Sequence, residues 1–247
     1  MYSQKNAEQF YESIGTIAGF SFERHRNYDV VRSRNTSWPN ALLNVRGTRS
    51  ELGSFLDQIE AQKPSEIILP KFIKCCPTAD NADLLNLAKE RNYRTGAWAA
   101  MTHSLDKLPP QKTQLLSIQQ VTSQNEIQLW GKIVAKELMN DPEMDVLLFE
   151  SMIAMETCYF YLGWIGNKAI ASSMLFVKEG VGGIYLVATE REYRKQGFGA
   201  EVTNICLHKA KELNCQRVDI QATDAGRNMY ASLGFKDAGR IHVVGVP

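Results

Sequence analysis

The stretch LVATEREYRKQGFGAEVTNICLHKAKEL, residues 186–213, joins an apolar segment, a charged loop and an amphipathic segment. The apolar segment predicts a strand, and the amphipathic segment predicts a helix. Two glycines, Gly197 and Gly199, stand where the loop meets the helix. A strand, a glycine turn and a helix in this order predict an α/β fold with a ligand at the start of the helix.

The start of this helix has the features of an anion-binding site. The first N–H groups of a helix lack partners within it, and the helix dipole adds partial positive charge there. Glycine at positions 197 and 199 removes side chains that would block an approaching anion. Arg194 and Lys195 add formal positive charge. The spacing therefore predicts a phosphate site, most naturally for a pyrophosphate.

Two other phosphate-binding motifs fit the turn less well. A Walker loop requires Gly-Lys-Ser/Thr at the helix start, whereas Gly199 is followed by Ala200 and Glu201. A Rossmann fingerprint requires a third glycine where Val202 stands, and it follows the strand directly. Taken alone, the turn fits a helix start that binds nothing equally well, so a second signal is needed.

The rest of the chain alternates predicted helices and strands in both halves. Helices are predicted over residues 7–20, 50–62, 82–93, 124–138, from 142, and over 198–213 and 225–234. Strands are predicted over residues 29–34, 40–47, 66–70, 96–103, 115–121, 158–166, 168–179, 182–189, 217–223, and as a pair over 235–246. Capping boxes are predicted at Thr48–Glu51 and Ser123–Glu126, and Asp141-Pro142 predicts a further helix start.

A polar segment over residues 103–114 divides the chain. It contains Pro109 and Pro110 and separates two apolar, strand-like runs. We therefore expect two domains, residues 1–110 and 115–247, each of ordinary size for a chain of 247 residues.

Composition narrows the classes of function. Hydrophobic residues make up 44% and charged residues 22%, as in soluble globular proteins. A net charge of +1 provides no overall field for nucleic acid or a membrane surface. No apolar run approaches the ~20 residues of a membrane helix, and the N-terminus lacks a signal-peptide layout. Five cysteines without a Cys-x-x-Cys pair predict no metal site and a cytoplasmic location.

A second signal lies about thirty residues after the glycine turn. In NMYASLGF, Tyr230 stands four residues before Gly234-Phe235. The order strand, Arg-x-x-Gly-x-Gly, helix, strand, Tyr-x-x-x-Gly-Phe resembles the GNAT superfamily of acyl-CoA-dependent N-acyltransferases. VATEREYRKQGFG and IQATDAGRNMYASLGF are similar to one branch of it, over about residues 115–240. The family commonly has Pro at Arg191 and Gly at Lys195, and both departures add positive charge.

The resemblance implies a mixed, mostly antiparallel sheet flanked by helices. In the similar branch a degenerate copy of the fold often precedes the active domain, which implies two tandem GNAT-like halves. The resemblance also implies acetyl-CoA as cofactor, with its pyrophosphate held by residues Arg194, Lys195, Gln196, Gly197, Phe198, Gly199 and Ala200. Its pantetheine arm would lie along Val187, Ala188 and Thr189, where strand 217–223 has to separate from strand 182–189.

The implied reaction moves an acetyl group to a primary amine of an acceptor that the sequence does not identify. We expect a small molecule in preference to a protein as the acceptor, and a monomer or homodimer. Tyr230 is implied as the group that protonates the departing thiolate. The general base stays open among Glu156, Asp219, a water relay and an acceptor that needs none; Tyr185 is the only titratable side chain on the motif strand. A non-catalytic acyl-CoA-binding module and an ATP- or NAD-binding protein are the alternatives.

Two further residues are expected to have no chemical role. His208 is flanked by lysines on the predicted helix, which favours a solvated face. Cys206 shares the apolar stripe of that helix, which predicts a core thiol.

Overall fold

The computed structural model describes residues 2–33, 36, 38–63, 69–110, 115–144 and 146–247. These residues form two compact units. The large unit consists of residues 1–10 and 100–238, and the small unit consists of residues 11–99 and 239–247.

The first part of the chain contains three helices and five strands within its described residues. They are α1 (Tyr2–Ile14), β1 (Phe20–Arg24), β2 (Asp29–Ser33), β3 (Ala41–Leu43), α2 (Arg49–Glu60), β4 (Phe72–Cys75), α3 (Leu84–Glu90) and β5 (Arg94–His103). In the small unit β2 pairs antiparallel with both β1 and β3. Strand β4 pairs parallel with β3, and β11 (Lys236–Gly245) pairs antiparallel with β4. Helices α2 and α3 cover a core that includes Leu42, Leu56 and Ile73.

The second part of the chain contains the elements of the large unit. They are β6 (Ser117–Gln120), α4 (Gln124–Val134), α5 (Glu150–Ile153), β7 (Cys158–Ile165), β8 (Lys168–Lys178), β9 (Val181–Thr189), α6 (Phe198–Glu212), β10 (Arg217–Ala222) and α7 (Asp224–Ser232), followed by β11. The strands are ordered β10-β9-β8-β7-β6. All neighbours are antiparallel except β9 and β10, which are parallel and joined through α6. The α/β fold with a mixed, mostly antiparallel sheet is confirmed.

The buried face of the large unit forms around Trp130 of α4. Its indole is fully buried and makes edge contacts with Phe149 and Phe160, with ring centroids 5.0 Å apart in each pair. Its Nε1–H donates to the carbonyl of Ser173 on β8 at 3.0 Å. This packing holds α4 against the sheet and satisfies the one polar atom of the indole.

Local sequence signals determine several element boundaries. The capping boxes at Thr48–Glu51 and Ser123–Glu126 are both present and start α2 and α4. The turns that connect β7 to β8 and β8 to β9 contain positive φ angles at Gly166 (53°) and Gly180 (73°). Such turns match the twist of antiparallel strands.

Three predicted elements differ from the structure. The first helix ends at Ile14 instead of residue 20, because Gly15 and Gly19 interrupt it and the next residues form β1. Asp141 opens one turn, with Met144 N–H bonded to its carbonyl, and the next helical segment begins at Val146. Residues 235–246 form one strand, β11, and not a pair. The predicted strand 66–70 falls largely outside the described residues.

The two compact units do not coincide with the predicted division between residues 110 and 115. The first ten residues and residues 100–110 belong to the large unit, and residues 239–247 belong to the small unit. Strands β5 and β11 therefore each begin in one unit and end in the other. Proline and polar residues indicate where a chain leaves regular structure, but they do not indicate which sheet each strand joins.

Other observations bear on the predicted location and chemistry. The five cysteines are free and buried. Among the described residues, no helix has the length and apolar character needed to cross a membrane, and no group of three His, Cys, Asp or Glu side chains is arranged to hold a metal ion.

An asparagine from α1 packs on β9 within the large unit. Asn6 is 1% exposed, its Nδ2 donates to the carbonyl of Val181 at 3.1 Å, and its Oδ1 accepts from Tyr185 Oη at 2.7 Å. A Cβ atom on Gly183 would stand 1.9 Å from that Oδ1 and 2.5 Å from Cε2 of Tyr185. Glycine at position 183 is therefore required for α1 to contact β9.

Gly183→Ala should lower the free energy of unfolding by about 1–3 kcal/mol, the usual cost of overpacking a filled site. Gly53→Ala is the matched control, because its Cβ would meet nothing closer than 3.8 Å and α2 should gain about 0.5–1 kcal/mol. Denaturant unfolding of both variants provides the measurement. Equal stability of Gly183→Ala and the wild type would show that α1 does not depend on this contact.

Candidate functional site

The site lies where the parallel ladder between β9 and β10 ends. Ile184 pairs with Ile220, and among the described residues no further pair follows, although β9 continues to Thr189 and β10 to Ala222. Leu186 has a φ of 53°, and the register between β8 and β9 shifts at this point. A bulge increases local twist and ends pairing, so the two strands diverge beyond it.

Buried hydrogen bonds hold the bulge in place. Ser172 and Ser173 of β8 are fully buried. Ser172 Oγ donates to the carbonyl of Leu186 at 3.2 Å, and Ser173 Oγ donates to the carbonyl of Val202 on α6 at 2.7 Å. The strand end and the helix that follows it are thus fixed to the same pair of residues.

Unpaired amide groups stand beside the divergent strands. Gly197 is the N-cap of α6 with a φ of 93°, and Lys195 has a φ of 62°. The first bond of the helix runs from the N–H of Ala200 to the carbonyl of Gly197 at 2.9 Å. No acceptor among the described residues contacts the N–H groups of residues 195–199. The helix start therefore presents consecutive free donors at its positive end.

The two glycines of the turn have different physical roles. Gly197 is needed for its left-handed φ, since a Cβ there would meet nothing within 4 Å. A Cβ on Gly199 would stand 3.1 Å from Met229 Sδ on α7 and 3.5 Å from Thr189 Oγ1. Gly199 thus allows β9, α6 and α7 to converge, which is a packing reason and not the clearing of a path for an anion.

The guanidinium of Arg194 is occupied by the protein itself. Its Nε donates to the carbonyl of Thr189 at 3.0 Å, and its Nη2 donates to Glu137 Oε2 at 2.6 Å. The side chain of Glu137 is 5% exposed, and the residue lies in a π-helical turn that follows α4. Arg194 therefore braces the loop against the end of β9, while Glu137 balances its charge. The sequence contained no signal for Glu137, which stood within a predicted helix.

Other loop charges form a second group, which Lys136 connects to the Arg194–Glu137 pair, since its Nζ is 3.5 Å from Glu137 and 3.6 Å from Glu190. Lys168 lies 2.6 Å from Glu190 and 2.5 Å from Glu192, and its hydrogen bonds to both carboxylates raise its pKa. Arg191 and Lys195 are exposed and form no ion pair with a described residue. The positive charge available at the helix start therefore comes from Lys195 and Arg191, and not from Arg194.

The first turn of α6 is anchored to the sheet by an aromatic side chain. Phe198 is 4% exposed and packs with the buried residues Leu116, Ile170, Ala171 and Val202 and the partly buried Val187 and Tyr193. The preceding Gln196 is exposed. This packing lets the backbone around Phe198 face outward while its side chain faces the core.

Tyr230 lies in α7, next to the methionine that reaches the glycine turn. It is 8% exposed, its ring centroid is 5.9 Å from that of Phe235, and a Cβ on Gly226 would stand 2.8 Å from its Cε2. Burial raises the pKa of Tyr230, so its phenol keeps the proton at neutral pH. None of the described residues forms a hydrogen bond with its hydroxyl.

The candidate bases have different surroundings. Glu156 is exposed in the turn before β7. Asp219 is 3% exposed and 3.3 Å from Arg217, and burial raises its pKa despite that partner. The hydroxyl of Tyr185 donates to Asn6 as described above. None of these positions by itself selects a general base.

The structure contradicts the prediction for His208 and confirms the prediction for Cys206. His208 is partly buried, and its Nε2 is buried without a partner among the described residues, so the predicted solvated face is wrong. Cys206 is fully buried, its Sγ is 3.3 Å from Ser173 Oγ, and burial raises its pKa to about 12. The prediction of a core thiol is confirmed.

Part of the chain is similar to a known protein family. Residues 128–235 match the profile of the acetyltransferase (GNAT) family. The matched segment contains the bulge, the glycine turn and Tyr230. The sequence finds no match among curated proteins.

Solved structures share the fold over nearly the whole chain. A GCN5-related N-acetyltransferase from Kribbella flavida has a TM-score of 0.72 at 16% identity, covering 100% of this chain and 96% of its own. A GCN5-related N-acetyltransferase from Sphaerobacter thermophilus has a TM-score of 0.63 at 14% identity, covering 97% and 85%. A functionally unknown conserved protein from Staphylococcus epidermidis has a TM-score of 0.62 at 15% identity, covering 91% and 92%.

Glu137→Gln should lower the free energy of unfolding by about 1–3 kcal/mol, because it removes the charge that balances Arg194 at a buried position. Glu192→Gln, at an exposed carboxylate of the same loop, should change it by less than about 0.5 kcal/mol. Thermal or denaturant unfolding compares the two variants. If both lose the same small amount, the Glu137–Arg194 pair does not brace the loop.

Proposed function

Residues 128–235 form a domain of the acetyltransferase (GNAT) family, and from this premise we propose that the protein transfers an acetyl group from acetyl-CoA to a primary amine. The observation that carries the proposal is the row of free N–H groups over residues 195–199, beside the point where β9 and β10 diverge. A diphosphate can bind these N–H groups, since the free donors, the helix dipole and the charge of Lys195 all attract an anion.

The divergent strands suit the remainder of the cofactor. Residues 187–189 lie beyond the last pair of the β9–β10 ladder, so a pantetheine arm can run along β9 as an added strand. Backbone groups then make the contacts, which is consistent with the ordinary side chains of Val187, Ala188 and Thr189. The thioester would lie near the bulge at Leu186, on the side of β9 that faces β10.

The proposed chemistry is direct attack on the thioester. The lone pair of a neutral amine forms the C–N bond, the C–S bond breaks, and the sulfur takes a proton to leave as a thiol. Tyr230 is the proposed donor of that proton, because its buried phenol is protonated at neutral pH and its hydroxyl has no described protein partner. The proton released by the new amide nitrogen restores the phenol through solvent.

The small unit is proposed to be a degenerate copy that no longer holds the cofactor. Its β3, α2 and β4 repeat the parallel strand–helix–strand order of β9, α6 and β10. At the start of α2, however, Glu51 accepts from Thr48 N–H at 2.8 Å, and Thr48 Oγ1 accepts from Glu51 N–H at 3.3 Å. These hydrogen bonds lower the pKa of Glu51. A fixed carboxylate at this helix start disfavours a second anion.

The acceptor is proposed to be a small molecule, as the resemblance implies, and the enzyme is proposed to work in the cytoplasm. The five free, buried cysteines support a reducing compartment, where disulfides are rare. A panel of small primary amines, scored by release of the CoA thiol, tests the class of acceptor.

Acetyl-CoA should stabilise the protein in a thermal-shift assay, while ATP and NAD should not. Gly197→Ala should raise the Kd for acetyl-CoA about tenfold, because a residue with a Cβ loses about 1–2 kcal/mol in the left-handed conformation that exposes the donors. Gly19→Ala is the matched control, since Gly19 also has a positive φ (90°) and open space around its missing Cβ, but belongs to the small unit. Stabilisation by ATP alone would contradict the proposal.

Tyr230→Phe should lower kcat by at least about tenfold, since one proton-transfer partner is removed, with the Kd for acetyl-CoA unchanged. Tyr159→Phe on β7 is the control and should keep the wild-type kcat. Steady-state thiol release and calorimetry provide the two constants. Unchanged turnover in Tyr230→Phe would remove the assignment, and tight binding without turnover in the wild type would favour a non-catalytic acyl-CoA-binding module.

A further inference from the structure

The last residue of β5 is a buried histidine to which neither the sequence motifs nor the proposed reaction gives a role. His103 is 4% exposed, and its Nδ1 accepts the N–H of Leu105 at 3.0 Å. Because Nδ1 acts as an acceptor, the imidazole proton is on Nε2. Burial lowers the pKa of His103, which keeps the ring neutral.

The orientation of the ring is locked by the turn that follows it. Leu105 is 3% exposed and has a φ of 63°, so this turn is held in a conformation that is costly for leucine. Its carbonyl accepts from Lys211 Nζ of α6 at 2.8 Å, while its N–H bonds His103. The imidazole is therefore fixed from the side opposite to its proton.

The proton-bearing side of the ring contacts the end of α7. The backbone of Leu233, the C-cap residue of α7, faces the imidazole closely enough to counter part of the effect of burial on the pKa of His103. A Cβ on Gly234 would stand 3.1 Å from Nε2, and Gly234 has a φ of 95°. The last carbonyls of a helix have no partner within it, and the Nε2 side of the His103 ring lies against this end of α7.

The same helix end is connected to Tyr230. The N–H groups of Leu233 and Phe235 both donate to the carbonyl of Tyr230, at 3.0 and 3.1 Å. The ring of Phe235 contacts His103 on one side and Tyr230 on the other, with centroid distances of 5.4 and 5.9 Å. The backbone at the end of α7 and the ring of Phe235 thus both lie between His103 and Tyr230 and contact both residues.

We propose that His103 is a positioning residue for Tyr230: its Nε2–H holds the C-terminal end of α7, and the Phe235 ring transmits that position to the phenol. The proposal rests on the acyltransfer function proposed above. His103 does not touch the substrates and does not transfer a proton in this role. A residue from the first half of the sequence, His103, would therefore set the position of a catalytic side chain in the second half.

Two substitutions test the contacts of the two imidazole nitrogens separately. The amide nitrogen of His103→Gln can reach Leu233 as Nε2 does, but the variant loses the acceptor for Leu105. The amide oxygen of His103→Asn can accept from Leu105, but its shorter side chain does not reach Leu233. We expect His103→Asn to lower kcat about tenfold, as small misplacements of catalytic groups do, with the KM for acetyl-CoA within about twofold. His103→Gln should retain kcat within about threefold, because it keeps the contact with α7.

Hydrogen exchange provides a readout that does not depend on catalysis. The N–H groups of residues 233–235 should exchange faster in His103→Asn than in the wild type and in His103→Gln. Equal loss of kcat in both variants, a raised KM in His103→Asn, or unchanged exchange at α7 would overturn the proposal. If the wild type releases no thiol with any amine, the acyltransfer function fails, and the exchange pattern alone then decides whether His103 holds α7.

Discussion

Pairing between β9 and β10 stops at Ile184 and Ile220, and the candidate site exists because of that stop. Leu186 takes a left-handed conformation that an L-residue adopts only when its surroundings enforce it. Here the enforcing groups are Ser172 and Ser173, whose hydroxyls bond the carbonyls of Leu186 and Val202. With regular pairing to the end of both strands, the backbone of residues 187–189 would be satisfied by β10 and would have nothing to offer a ligand.

Some charged groups around the loop are bonded within the protein and stabilise the loop, whereas others have no described partner and could bind a ligand. Arg194 belongs to the first kind, since a buried glutamate and a main-chain carbonyl occupy its guanidinium. Lys195 and the free amides belong to the second. A motif arginine next to the proposed phosphate site is easily assigned to the phosphate, but here its guanidinium is bonded to the carbonyl of Thr189 and to Glu137.

The helix starts of the two units differ in whether their N–H donors have protein partners. The start of α6 has a glycine N-cap without a side chain, so its donors remain free. The start of α2 has a threonine N-cap and a glutamate that satisfy the local donors. Both arrangements stabilise a helix, but only the first leaves room for a ligand. This contrast supports the proposal of one cofactor site per chain, and the proposed positioning residue His103 belongs to the same large unit as that site.

Much of the site could be predicted from the sequence because its signals are local. The glycine turn, the strand before it, both capping boxes and Tyr-x-x-x-Gly-Phe depend on residues within a few positions of one another, where backbone conformation and hydrogen-bonding follow from residue type. The sequence thereby determined the fold class, the match of residues 128–235 to the GNAT profile and the place of the free amides. Contacts between distant residues could not be predicted in this way. Glu137 pairs with Arg194 across 57 positions. Gly199 leaves room for Met229, and the ring of His103 packs against Gly234 and Phe235. Strands β5 and β11 each pass from one unit to the other. In each case packing in three dimensions selects the partner.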